Sequence, residues 1–277
     1  MSTSILRTDP ALLSPWGRLG PTAALSLFFV FGIGSLGQPH VVHKFYMLRD
    51  PRQLKWYPLI MAVAMSLTLL LFVGVGILMR ALVARGEFPA LARPDDATPL
   101  FLLHFAPTAL AGLVFAGVAA AIMSTVNAFL NVGAAAITHD IPRGLGITLG
   151  ATVGGARVAT VALTVVSAAL AASAKGLVAF LGIFGWGLFA CTIVPALAVG
   201  LNWPNATRQG AIASIVTGAG LTLGLETLGY FRLATLPVNA TAIALASSLL
   251  VFFAVSYATR HAAVQQTDPD IRAIMEV

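Results

Sequence analysis

About seven stretches of this sequence are continuously apolar over something close to the ~20 residues that a helix needs to cross a bilayer. They are Thr22–Gly37, Tyr57–Arg80, Leu110–Ile137, Ala156–Ala174, Leu177–Leu201, Gly210–Tyr230 and Val238–Tyr257. In lipid every backbone N–H and C=O must find a partner within the protein, which leaves only helices or closed barrels. Barrel strands alternate apolar and polar residues about ten at a time, and these runs do not alternate. Composition removes the soluble alternative. The chain is 58% hydrophobic and 9% charged, against roughly 25% charged in a soluble domain. The expected fold class is therefore all-α: a polytopic helical membrane protein with about seven transmembrane helices, integral to a plasma or inner membrane. It reads as a single membrane domain over residues 1–277, with a polar N-terminal segment at 1–20 and a cytoplasmic tail at 259–277.

The net charge of +6 is spread between the apolar runs. That is loop charge at a membrane surface, not a nucleic-acid footprint. Lys44, Arg49, Arg52 and Lys55 face only Asp50 in the first loop, which should lie in the cytoplasm. The next loop carries Glu87, Asp95 and Asp96 and should face outward. The one cysteine, Cys191, allows no intrachain disulfide. His40 and His43 are three apart, but no cysteine or carboxylate completes a metal set. The runs hold no Ser/His/Asp arrangement, phosphate loop or carboxylate pair, so the sequence supports no enzyme.

Two local patterns carry chemistry. In the third run, Ser124, Thr125, Asn127 and Asn131 fall within an arc of roughly 160° on a helix, together with the small Ala121 and Ala128. Ile122, Met123, Val126 and Phe129 occupy the other face. Small residues and hydroxyls are common glue between membrane helices. The same hydroxyls, with the Ala121 carbonyl one turn earlier, also suit a hard cation such as Na⁺. The first run ends in Phe31-Gly32-Ile33-Gly34-Ser35-Leu36-Gly37-Gln38-Pro39-His40. Glycine and proline weaken a helix interior. This is either a loop at the end of a span or a discontinuous helix that shows backbone groups to a ligand and resumes through Val41 to Met47.

Several stretches in order then resemble the sodium:solute symporter family, which includes proline, pantothenate and acetate transporters. They are Gly37-Gln38-Pro39-His40 with Lys44-Phe45; Ala120 to Thr125 with Ala135 to Asp140; and Phe184-Gly185, Pro195, Gly200-Leu201, Trp203, Ala206-Thr207 and Gly210-Ala211. The resemblance implies a LeuT-type fold of two inverted repeats. The first run would open the second repeat, with two further helices after it. It also implies that the chain is the C-terminal half of such a protein, with a separate chain as the partner that supplies a missing first repeat. The implied function is Na⁺-coupled symport of a small organic solute, an amino acid or carboxylate. The alternative is a non-transporting truncated, sensor or partner module of the same family. By the same resemblance Ala121, Ser124 and Thr125 bind sodium, and Phe31, Ser35, Gly37, Gln38 and Pro39 line the solute side. The proline branch has Trp and Tyr at the positions of Phe31 and Ser35, which argues against proline itself.

Overall fold

The computed structural model describes residue 16 and residues 20–45, 47–147, 152–173, 178–230 and 238–263. Most of the expected N-terminal segment and cytoplasmic tail lies outside the described residues. The α-helices run α1 Gly20–Gly34, α2 Pro39–Phe45, α3 Tyr57–Ala84, α4 Ala97–Phe105, α5 Thr108–Ala135, α6 Ile141–Gly144, α7 Val153–Ser173, α8 Val178–Ile193, α9 Arg208–Tyr230 and α10 Ala240–Ala263. Among the described residues there is no strand. Among the described residues seven segments are long and apolar enough to cross a membrane, and each overlaps one of the expected runs. The protein is an integral, multi-pass helical membrane protein. The sequence reading missed α4. It lies in the loop expected to face outward, and its nine residues are too few to span a bilayer.

The helix ends follow local chemistry. At the end of α3, Gly86 takes φ 74°, a value that favours glycine. This lets the Gly86 N–H reach the Val83 carbonyl and the Glu87 N–H reach the Leu82 carbonyl, a Schellman closure. Thr207 caps α9 by accepting the Gly210 N–H on Oγ1 at 3.1 Å. Asn239 does the same for α10, accepting the Thr241 N–H on Oδ1 at 2.9 Å.

The chain divides into two compact units: a terminal unit of Asp9–Val42 and Val178–Val277, and a middle unit of Met1–Thr8 and His43–Leu177. In the terminal unit α8, α9 and α10 pack along seams of small and hydroxyl residues. The buried positions of α9 and its cap are Thr207, Gly210, Ser214, Gly218 and Thr222. On α10 they are Thr241, Ala244, Leu245, Ser248, Phe252 and Ser256. Both sets repeat every three or four residues, which is one helix face. A side chain at Gly187 would overlap Thr241, and one at Gly218 would overlap the Cys191 carbonyl. These glycines let the helix backbones approach closely.

Pro195 explains the centre of this packing. Proline has no N–H, so the Cys191 carbonyl four residues earlier loses its helical partner, and the helix widens into a π-helical stretch over Val194–Val199. Ser248 Oγ on α10 donates to that carbonyl at 2.6 Å. A defect in α8 is thereby turned into a bond between helices.

In the middle unit α5 packs on α7 where Gly133 meets Leu163, and Ala134 and Ala159 are buried. Much of α3 is bare: Leu67, Leu69, Leu70 and Phe72 are all exposed. That is the surface a lipid-facing helix presents.

Candidate functional site

The first run is a discontinuous helix. After α1, residues Ser35–Gly37 form one 3-10 turn, Gln38 is extended at φ −78°, ψ 110°, and α2 begins at Pro39. Pro39 cannot donate to the Ser35 carbonyl, which keeps only a long 3.4 Å bond from the Gln38 N–H. The amide of Gln38 takes over the groups released by the break. Its Nε2 donates to the Gly34 carbonyl and to the Trp186 carbonyl of α8, both at 3.0 Å. Because both partners are acceptors, the orientation of the amide is settled. Gln38 is completely buried.

The break lies directly on α8. A side chain at Gly34 would press on Ala190 and the Trp186 indole, and one at Gly37 on Val194 and the Phe189 carbonyl. Gly37 and Gln38 are thus turned into the helix pack, while Phe31 is 43% exposed and Ser35 half-buried. The Ser35 hydroxyl donates to the Gly32 carbonyl at 2.8 Å, so the lone pairs of that oxygen remain available. With the under-used Ser35 carbonyl, the break offers acceptor oxygens. They suit an N–H donor or a cation.

The second candidate group lies on α5, in the middle unit. Thr125 Oγ1 donates to the Ala121 carbonyl at 3.1 Å. Its proton is committed there, leaving its lone pairs outward. Ser124 is the adjacent residue, and both hydroxyl residues are exposed. Asn131 Nδ2 lies 3.5 Å from Asn127 Oδ1 on the same arc. Bare hydroxyls and amides on a membrane helix need water, protein or an ion beside them. Ala121 and Thr125 are therefore joined by a bond, and Ser124 shares their arc.

Trp186 escaped the sequence reading, although Phe184-Gly185 just before it carried part of the resemblance. Its signal is position. Membrane tryptophans concentrate at the interfaces, whereas Trp186 lies inside an apolar run and contacts the rings of Phe31 and His40 at 5.7 and 6.5 Å.

The chain is 25% identical over 236 residues to a sodium/pantothenate symporter of Haemophilus influenzae, covering 80% of this chain and 46% of that protein. It is 27% identical over 212 residues to a sodium/proline symporter of Escherichia coli, covering 73% and 42%. It is 24% identical over 280 residues to a high-affinity proline transporter of Bacillus subtilis, covering 95% and 55%. The chain thus spans about half the length of the relatives it matches. No solved structure matches it. The sodium:solute symporter family profile matches residues 10–218, more than half of the sequence, and the chain belongs to that family.

Proposed function

We propose that this chain works in sodium-coupled symport of a small organic solute. Membership in the sodium:solute symporter family supports this reading. The observation that carries the reading to residues is the open hydroxyl arc of α5. There the Thr125 hydroxyl donates its hydrogen bond to the Ala121 carbonyl, so its oxygen is left to act as an acceptor. Ser124 and Thr125 would ligate Na⁺ through their hydroxyls, and Ala121 through its carbonyl. Three oxygens are fewer than a hard cation takes, so other elements must supply the rest.

Phe31 and Ser35 would line the solute side, with Gly37, Gln38 and Pro39 shaping the break behind them. Pro39 frees the Ser35 carbonyl, Gly37 lets the break approach α8, Gln38 holds it there, and Phe31 packs on the solute. Relatives named for proline and for pantothenate point to a solute bearing a carboxylate, an amino acid or another organic acid. Acceptor oxygens at the break suit a donor group on the same solute.

The test is uptake of labelled L-proline and pantothenate into proteoliposomes under a sodium gradient. It uses this chain alone and co-expressed with the N-terminal half of the Haemophilus relative. Ser124→Ala and Thr125→Ala should raise the sodium concentration for half-maximal uptake, about tenfold for each ~1.4 kcal/mol of binding lost. Asn127→Ala, on the same arc, should not. Uptake that ignores sodium, or an unchanged sodium dependence in both hydroxyl variants, would sink the assignment.

A further inference from the structure

The half-helices on the two sides of the break meet one residue of α8. Trp186 contacts the Phe31 ring of α1 at 5.7 Å, tilted by 45°, and the His40 ring of α2 at 6.5 Å, nearly edge-on at 71°. Between them Gly34 leaves no room for a methyl group against the indole, since a Cβ there would lie 2.9 Å from Trp186 Nε1. The backbone of the same residue receives Gln38 Nε2 at 3.0 Å. The indole Nε1 and Gln38 Oε1 are both buried, and neither has a hydrogen-bond partner among the described residues.

Apart from the bond of the Gln38 amide back to the Gly34 carbonyl, a helix interrupted by Gly34, Gly37 and Pro39 has no internal means of fixing the angle between its two halves. Here the angle is imposed from outside. Aromatic contacts hold each half, a donated amide holds the middle, and all of them end on Trp186. Neighbouring positions Phe189, Ala190 and Val194 continue the same face of the α8 segment. Phe31 is the exposed member of the set, so what the indole fixes is the pose of the ring offered to a solute.

We propose that Trp186 is a positioning residue: it sets the geometry of the helix break and the orientation of Phe31. Gln38 acts with it by tying the break to the α8 backbone. This deepens the transport reading and rests on it for its consequence in uptake, while the clamp itself can be read without transport.

The first arm uses the purified full chain in lipid nanodiscs with Trp16→Phe, Trp56→Phe and Trp203→Phe, so that Trp186 alone emits. Gln38→Leu removes the donated amide at similar bulk, and Gly34→Ala pushes a methyl at the indole. Each should shift the emission and raise acrylamide quenching about twofold, as expected when local packing opens. Emission and quenching unchanged in both variants would overturn the clamp.

The second arm measures uptake of whichever of L-proline or pantothenate the unsubstituted protein carries. Trp186→Leu should raise the solute half-saturation about fivefold, the factor matching loss of an aromatic pair of ordinary strength. Sodium half-activation should stay unchanged. Combined with Phe31→Leu the two effects should be non-additive. An unchanged half-saturation, or a loss of maximal rate alone, would overturn the positioning role. If the unsubstituted protein shows no sodium-driven uptake, the transport reading fails, and the quenching arm still decides whether Trp186 holds the break.

Discussion

The two units are built from the same kinds of helix and bury very different shares of them. In the terminal unit the protein itself buries 22% of the apolar window of the α1 segment, 28% of α8, 17% of α9 and 33% of α10. In the middle unit the share is 6% for each of the α3, α5 and α7 segments. What the terminal unit buries is largely small or hydroxylated: Ser214, Ser248, Ser256, Thr222 and Thr241 have no exposure at all. What the middle unit exposes is large and apolar, such as Leu70 at 72% and Met123 at 72%. Water expels large apolar groups, but lipid does not. Helices there associate through close backbone approach and hydrogen bonds. Hydrophobicity therefore marks which segments span the membrane and says little about which face is packed.

A glycine comparison should produce the largest effect. At Gly187 an added side chain overlaps Thr241 of α10, whereas at Gly117 on α5 none of the described residues lies within 4 Å of one. Gly187→Val should lower stability by about 1–3 kcal/mol, the usual cost of overpacking. Gly117→Val should stay within about 0.5 kcal/mol. Thermal or denaturant unfolding in detergent, followed by tryptophan fluorescence, reads both. Equal losses at the two sites would remove the distinction between the packed seam and the open helix.

The same distinction explains what was legible in the sequence. Run length and composition suffice to find the spans, because lipid selects on those two properties. The break at Gly34 to Pro39 was visible because glycine and proline change the backbone directly. The π-helical stretch at Val194–Val199 was not. Pro195 signals a lost bond, but whether the helix kinks, widens or ends depends on what meets the freed Cys191 carbonyl, here Ser248 from a distant segment. Likewise Gln38 looks like one more polar residue of a motif until its two acceptors, Gly34 and Trp186, are in place. The arc of Ser124 and Thr125 was legible as a face, since helical spacing alone makes it one. Its sodium role came from the family resemblance, since ligand sets draw on more than one element.

A middle-sized effect is expected from the Ser248 bond. Its Oγ is 2.6 Å from the Cys191 carbonyl and 3.0 Å from the Ser214 carbonyl. Ser248→Ala should cost about 1 kcal/mol, between the ~0.6 average and ~1.7 maximum of interhelical bonds in membranes. If the freed carbonyl is the reason, Pro195→Ala should recover part of the loss in the Ser248→Ala background, because alanine restores an N–H four residues beyond Cys191. Recovery of stability in the double variant supports this account. A simple sum of two losses would show that the π-helical stretch has another cause.

The smallest stability effect should come from the same chemical change at Ser124. Ser248 has no exposure and two carbonyl partners on other helices, whereas Ser124 is exposed on the open arc of α5. Removing its hydroxyl leaves no buried carbonyl without a donor, and alanine is the better helix former. Ser124→Ala should therefore unfold within about 0.5 kcal/mol of the unsubstituted protein. Under the proposed role it should still shift the sodium dependence of uptake, which Ser248→Ala should not do. The pair thus separates a hydroxyl that holds helices together from one held ready for an ion. Measuring unfolding and sodium activation on both variants decides it. If Ser124→Ala loses as much stability as Ser248→Ala and leaves sodium activation unchanged, the α5 arc is packing surface, and the two units differ only in how much of that surface is covered.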